Sequence, residues 1–198
     1  SKRIFDIVGA SVLLVALSPL FLFTALSIRR HDRGPVVFRQ QRVGRGGDLF
    51  DCYKFRTMVV GADTMVAEVS EHNQHDDDHV LFKAPADPRI TPPGRLIRRY
   101  SLDEMPQFVN VLRGEMSLVG PRPPLPAEVE RYTEDVRQRL AVRPGMTGLW
   151  QVSGRSDLTY EERVRLDMHY IRNYSIWRDI QILVLQTPPA VLRRRGAY

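Results

Sequence analysis

Between Arg89 and Arg122 the chain sets one acidic pair, Asp103-Glu104, among six arginines: Arg89, Arg95, Arg98, Arg99, Arg113 and Arg122. A guanidinium is a planar fork that grips phosphate oxygens in pairs, and a helix N-terminus adds free N–H groups and partial positive charge. Such surroundings suit a phosphorylated ligand. They favour the ionised form of Asp103, while its neighbour Glu104 opposes full ionisation of the pair unless a cation lies between them. Mg²⁺ completes one or two carboxylates with substrate phosphate oxygens and water, so Asp103 and Glu104 could hold it. An ionised carboxylate held against a phosphoanhydride could also act as a nucleophile, splitting one displacement into two through an acyl phosphate. The same residues have a structural reading, because Ser101-Leu102-Asp103-Glu104 has the S-x-x-E form of a capping box. There Glu104 is the returning partner and Asp103 a first-turn acid suited to the helix dipole, and spacing alone favours this reading. The arginines could equally form a solvated or lipid-facing surface.

The elements around the pair follow from local pattern. Met105, Phe108, Val109 and Leu112 recur at helical spacing after Ser101, and Gly114 stands where a C-terminal stop belongs. Upstream, Val36 to Phe38, a Gly44-Arg45-Gly46-Gly47 turn and Leu49 to Phe55 predict a β-hairpin. Ala62 to Glu71 reads as a helix. After it His75 and His79 bracket Asp76, Asp77 and Asp78, which resembles a metal cluster in composition but reads as a solvated loop because it lacks apolar periodicity. Further helices are expected from Ala127 to Leu140 and from Thr159, whose spacing to Glu162 repeats the capping box. The tail from Ile176 to Leu192 is apolar, with Trp177 near its start and a break at Pro188-Pro189. It could be a core helix, lie along a bilayer surface, or pair two protomers.

The N-terminus narrows the setting. Ile7 to Leu26 carries no charge, and as a straight helix it would span about 30 Å, enough to cross a hydrocarbon core. Ser18-Pro19 interrupts it: proline removes a helical hydrogen bond, and the serine hydroxyl can satisfy a freed carbonyl. Lys2 and Arg3 precede the run and Arg29, Arg30 and Arg33 follow it, so both ends prefer the cytosol. A re-entrant helix-break-helix satisfies both observations better than a kinked spanning anchor, and the arginine-rich exit excludes a cleavable signal peptide. With 198 residues, 43% of them hydrophobic and 26% charged, the chain is one globular domain or one domain plus an appendage. The net charge of +6 points to phosphates, anionic lipid or nucleic acid, and the apolar run argues against nucleic acid. A single cysteine, Cys52, excludes an intrachain disulfide.

Seven motifs occur in order: Ser18-Pro19, Lys54-Phe-Arg-Thr-Met58, Asp87-Pro-Arg-Ile-Thr91, Ser101-Leu-Asp-Glu-Met-Pro-Gln107, Asn110-Val-Leu-Arg-Gly114, Met116-Ser-Leu-Val-Gly-Pro-Arg-Pro123 and Arg143-Pro-Gly-Met-Thr-Gly148. Together they resemble the bacterial sugar transferases, the monotopic polyprenyl-phosphate phosphoglycosyl transferases, over nearly the whole chain. The resemblance implies an α+β, mainly helical fold: residues 1–34 a re-entrant membrane helix broken at Ser18-Pro19, and residues 35–198 a cytosolic catalytic domain with a small antiparallel hairpin and amphipathic helices at the membrane interface. It implies transfer of a sugar 1-phosphate from a UDP-sugar to undecaprenyl phosphate on the cytoplasmic face of the bacterial inner membrane, with release of UMP. That step would begin exopolysaccharide, capsule or O-antigen assembly. Asp103 would be the nucleophile, Glu104 would organise Mg²⁺ with it, and Lys54, Arg98, Arg122 and Arg155 match positions that contact phosphates or nucleotide. Pro121-Arg122-Pro123 would border the nucleotide site.

Met105 stands where Leu is usual and Tyr100 where Thr or Ser is usual. Ser1-Lys2-Arg3 resembles the start of the catalytic domain in larger members, which implies an excised portion with UDP-glucose or UDP-galactose as donor. The competing class is a catalytically silent membrane-surface module that binds anionic lipid or a partner enzyme.

Overall fold

The computed structural model describes residues 1–62, 64–65, 87–154 and 158–187. The apolar N-terminus forms two helices, α1 (Lys2–Ala16) and α2 (Ser18–Asp32), bent by 62° across Leu17. Pro19 sits in the first turn of α2, where its missing N–H has no intrahelical carbonyl to reach. The Ser18 hydroxyl donates to the carbonyl of Val15 at 2.8 Å, satisfying one of the groups the break releases. Neither helix alone is long and apolar enough to cross a membrane. One face of the pair exposes Val8, Val12, Val15, Leu22 and Phe23, while Asp6, Ala10, Thr24 and Ile28 are buried against the rest of the protein.

The expected hairpin is present as β1 (Val37–Val43) and β2 (Leu49–Phe55), in register from Val37 opposite Phe55 to Val43 opposite Leu49. Its turn uses Gly46 and Gly47 at φ of 74° and 96°, a region that favours glycine. Helix α3 (Pro92–Arg99) follows, capped by the Thr91 hydroxyl, which accepts from the Gly94 N–H at 3.0 Å.

The capping box expected at Ser101 does not form. Ser101 adopts a left-handed conformation (φ 55°) and makes no side-chain cap, and Leu102–Glu104 is a single 3₁₀ turn. In an α-helix begun at Ser101, residue 106 would donate to the carbonyl of Leu102, but Pro106 has no N–H, and Met105 makes the tighter bond instead at 3.2 Å. Helix α4 (Gln107–Arg113) starts afresh and ends, as expected, on Gly114 at φ 87°.

Strand β3 (Ser117–Val119) then pairs in parallel with β4 (Gly145–Thr147), a pairing that the sequence reading did not anticipate. The two chains meet so closely that a Cβ on Gly145 would overlap the backbone nitrogen of Gly120. The single helix expected over residues 127–140 is instead α5 (Pro126–Glu130), α6 (Glu134–Arg137) and a 3₁₀ turn over Gln138–Ala141, with Tyr132 turned inward at the break. Helix α7 (Leu149–Ser153) leads toward α8 (Tyr160–Arg172), whose capping box is formed as expected, Thr159 N–H donating to Glu162 Oε2 at 2.7 Å. The tail begins as α9 (Ile176–Ile180) and continues as a π-helical stretch, Gln181–Gln186. It serves two environments, since Ile182 is buried while Trp177, Val184 and Leu185 are exposed. The helix expected over residues 62–71 lies largely outside the described residues, as does the His75 to His79 cluster; the described positions through Met65 form turns.

One core joins these parts. Val111, Met116, Leu118 and Val119 pack with Cys52, Phe55 and Phe108, and Ala10 and Ile28 belong to the same cluster. The bent helices are therefore built onto the domain, and polar groups of α1 fix the join. Lys2 Nζ donates to Asp179 Oδ2 (2.6 Å) and the Val119 carbonyl (3.1 Å). The Arg3 guanidinium donates to the carbonyls of Val111 and Leu112 at the end of α4. Asp6 accepts from Ser117 Oγ (2.9 Å) and Leu118 N–H (3.1 Å). The flanking cations at this end thus serve the protein interior as well as the charge balance of the apolar run.

Candidate active site

Freed from capping, Glu104 turns to β2. Lys54 Nζ donates to Glu104 Oε1 at 3.0 Å, and both side chains stay partly accessible. Lys54 reaches this point because strand alternation sends it to the side opposite Tyr53 and Phe55. Asp103 sits beside this ion pair. Arg98, at the end of α3, donates from Nε to Thr57 Oγ1 at 2.8 Å and acts electrostatically on Asp103. Arg122 follows β3, with its guanidinium held by both carboxylate oxygens of Glu128 (3.1 and 3.2 Å). The segment carrying it is clamped on both sides: the Pro121 carbonyl accepts from Gly145 N–H (2.8 Å) and the Pro123 carbonyl from Arg42 Nη1 (3.0 Å).

Of the six arginines read from the sequence, Arg98 and Arg122 act on the acid pair. Arg89 instead closes a bidentate, buried ion pair with Asp87. Arg113 stacks on the Tyr53 ring and Arg99 on Tyr100, and Arg95 is exposed. Pro121 and Pro123 are buried at the edge of the site. Arg155 lies outside the described residues.

The two carboxylates are driven apart in acidity. Burial, and then the charge of Glu104, push Asp103 up to about 6 against the opposing pull of Lys54 and Arg98. Burial would also raise Glu104, but Lys54, Arg122 and Arg42 outweigh it and hold the carboxyl below its usual value. Burial works against the Lys54 ammonium, yet Glu104 and Asp103 keep it above its ordinary range. One acid is therefore a fixed anion locked to a lysine, and its neighbour is poised between protonated and ionised forms, as expected for a group that takes part in chemistry.

Arg42 is a residue that sequence reading missed. It is 7% exposed, and burial followed by repulsion from Arg122 lowers it to about 10. Its Nε and Nη2 donate to Gln40 Oε1 while Nη1 holds Pro123. A charged residue next to the Gly44 turn gave no sign that it would point inward.

Among the described residues no group of three or more His, Cys, Asp or Glu side chains could surround a metal. A cation bound here would take at most two carboxylates from the described chain and fill its shell with water and ligand oxygens, which is the donor set Mg²⁺ prefers. A cation there would oppose both causes of the Asp103 rise, burial and the charge of Glu104. The arrangement sets two guanidiniums near a carboxylate pair, one member of which is poised near neutrality, a combination suited to phosphate oxygens.

Comparison with known proteins places the chain in a family. The family described as bacterial sugar transferase matches residues 1–194. An undecaprenyl-phosphate galactose phosphotransferase of Salmonella typhimurium is 49% identical over 202 residues, covering 100% of this chain and 41% of that protein. The exopolysaccharide production protein ExoY of Sinorhizobium fredii is 43% identical, covering 100% of this chain and 88% of that one. A UDP-glucose:undecaprenyl-phosphate glucose-1-phosphate transferase of Caulobacter vibrioides is 40% identical over 205 residues, 100% of this chain and 72% of its own. The chain spans about two-fifths of the length of the Salmonella relative.

Proposed function

The chain belongs to the bacterial sugar transferase family, and from that membership we propose that it moves a sugar 1-phosphate from a UDP-sugar to undecaprenyl phosphate, releasing UMP and opening the assembly of a surface polysaccharide. The observation that carries this reading is the poised Asp103 beside the Lys54–Glu104 ion pair, with Arg98 acting on Asp103 and Arg122 on Glu104.

In the first half-reaction an Asp103 carboxylate oxygen attacks the β-phosphorus of the donor. A new O–P bond forms, the bond from that phosphorus to the bridging oxygen breaks, and UMP leaves with the bridging oxygen. In the second, a phosphate oxygen of undecaprenyl phosphate attacks the same phosphorus, the bond to Asp103 breaks, and the free carboxylate returns. Arg98 and Arg122 bind and orient phosphate oxygens, which removes much of the entropy of bringing two anions together. Lys54 keeps Glu104 ionised and offsets charge that develops on the phosphoryl group. Mg²⁺ held by Asp103 and Glu104 would supply charge neutralisation on the diphosphate. One site serves both steps because the phosphosugar stays on the protein between them.

The setting fits an acceptor whose phosphate is polar and whose tail is lipid. The bent α1–α2 pair, with its exposed valines, leucine and phenylalanine, would enter the cytoplasmic leaflet and return, leaving the site at the boundary without a water-filled path through the bilayer. The defining experiment measures UMP release from a panel of UDP-sugars, with UDP-galactose and UDP-glucose first, in the presence of undecaprenyl phosphate and Mg²⁺. Turnover with one of them is expected; no release with any donor would favour a silent membrane-surface module.

The dyad also sets a pH dependence. Only ionised Asp103 can attack, and in the free enzyme its pKa is raised to about 6 by burial and Glu104. The rate of adduct formation, read as kcat/KM for the donor, should therefore climb with pH through that region and level off above it. Lys54→Met removes the cation that opposes the rise, so the acid limb should move to higher pH. A rate that stays level through the acid region would contradict the assignment.

A further inference from the structure

The motif Asn110-Val-Leu-Arg-Gly114 opens on a side chain that is bonded at three places beside the site. Asn110 is 0% exposed. Its Oδ1 accepts from the Tyr53 N–H at 3.1 Å, and its Nδ2 donates to the Asp51 carbonyl and to Glu115 Oε2, both at 2.7 Å. Its own carbonyl accepts from the N–H groups of Glu115 (3.1 Å) and Met116 (3.3 Å). Among the described residues strand β2 pairs with β1 on one edge, and Asn110 occupies the other edge, bonding the residues on either side of Cys52 as a neighbouring strand would. The amide is fixed in one orientation: an N–H must meet oxygen, and two acceptors must meet the NH₂.

The position of this clamp gives it a consequence for the site. Tyr53 is bonded covalently to Lys54, Lys54 is paired to Glu104, and Glu104 runs through Pro106 into α4, which carries Asn110 back to Tyr53. The ring is closed by two side chains. One of them, lysine, is a flexible four-carbon stem ending in a point charge; the other is a short planar amide held at three places. Apolar packing of Cys52 and Phe55 with Phe108, and the contact of Arg113 with Tyr53, also join β2 to α4; Asn110 is the link that bonds the β2 backbone itself, one residue from Lys54.

We propose that Asn110 is a positioning residue for the phosphoryl-transfer site, fixing β2 against α4 so that Lys54 meets Glu104 in the reactive arrangement. The proposal rests on the sugar-phosphate transferase reading for its kinetic consequence but on geometry alone for the placement of Lys54. An apolar residue of similar size could fill the space; only an amide satisfies an N–H and two acceptors at once, and leaving those buried groups unbonded is unfavourable.

Three measurements test it. Asn110→Ser should lower kcat about tenfold while leaving KM for the donor within about twofold, because the segment carrying Arg122 is clamped separately. In a Lys54→Met background the same Asn110→Ser change should cost less than about twofold, since the group it positions is already gone. Competitive acetylation of the intact protein, read by mass spectrometry against Lys2 and Lys83, the other lysines, should show Lys54 labelled about threefold faster in Asn110→Ser as its ion pair loosens. Val111→Ala, at the adjacent buried position, is the control and should leave the Lys54 labelling ratio unchanged.

A full additive loss in the Lys54→Met background, or unchanged Lys54 labelling, would overturn the proposal. If the wild-type protein transfers no sugar phosphate, the function reading fails and the labelling arm still decides the placement of Lys54. If Asn110→Ser does not fold, Glu115→Gln, which weakens the hold on Nδ2 without emptying the core, carries the same measurements with smaller expected changes in the same directions.

Discussion

Asp103→Asn is expected to reduce sugar-phosphate transfer by about 10⁴-fold or more and to eliminate any phosphosugar adduct on the protein. The amide keeps the size and planarity of the carboxyl but offers no anionic oxygen to phosphorus. Loss of function through misfolding is separable here, because the structure gives the substitution the opposite sign for stability. Asp103 is raised by burial and by Glu104, so a neutral side chain removes an unfavourable interaction at neutral pH, and the variant should unfold at the same temperature as the parent or higher. Intact mass after incubation with donor alone is the direct readout: the parent gains the mass of a sugar phosphate and the variant gains none. An active Asp103→Asn protein, or a parent that never carries the adduct with acceptor withheld, would end the covalent scheme.

Lys2→Met should be the most damaging change outside the site, lowering stability by about 3 kcal/mol. Asp179 is 0% exposed, and its two oxygens are taken by Lys2 Nζ and the Tyr170 hydroxyl, each at 2.6 Å. Removing the ammonium leaves a buried carboxylate with one neutral donor. Burial already raises Asp179 above its ordinary value, and without Lys2 it rises further. The folded variant then binds a proton more tightly than the unfolded chain, so its stability falls as pH increases through the raised pKa. The deficit should accordingly grow as pH rises from the parent's raised Asp179 value to the variant's still higher one. Lys2→Met combined with Asp179→Asn should recover part of the loss, since the second change discharges the stranded acid. Denaturant unfolding in detergent of the parent, both single variants and the double measures the coupling; a fully additive double variant would show that the pair is not coupled.

This anchor also explains how much of the molecule was readable from its sequence. Features that depend on one residue's covalent chemistry were legible: the break at Ser18-Pro19, the glycine turn of the hairpin, the stop at Gly114 and the Thr159–Glu162 box. Features set by distant partners were not. Ser101 to Glu104 has the spacing of a cap, but Pro106 denies the helix its bond and Lys54 claims Glu104 from 50 residues away. Strands β3 and β4 are three residues each and pair across an intervening stretch of helices, so no local alternation announces them. Tyr132 ends a helix by turning inward, which helical periodicity does not encode. For the candidate site, residue types singled out Asp103 and Glu104 among arginines that include Arg98 and Arg122, and the family resemblance added Lys54; the inward turn of Arg42 and the clamp at Asn110 emerged only when the elements were packed.

The near-contact of Gly120 with Gly145 bears on Arg122. The segment that grips Arg122 is seated main chain on main chain, so neither glycine has a neutral replacement and any side chain would act as a wedge. A side chain at Gly145 would have to push the Gly120 backbone aside, and the Pro121 carbonyl that accepts from Gly145 N–H would move with it. The placement of Arg122 is thus tied to the absence of a side chain more than 20 residues further along the chain.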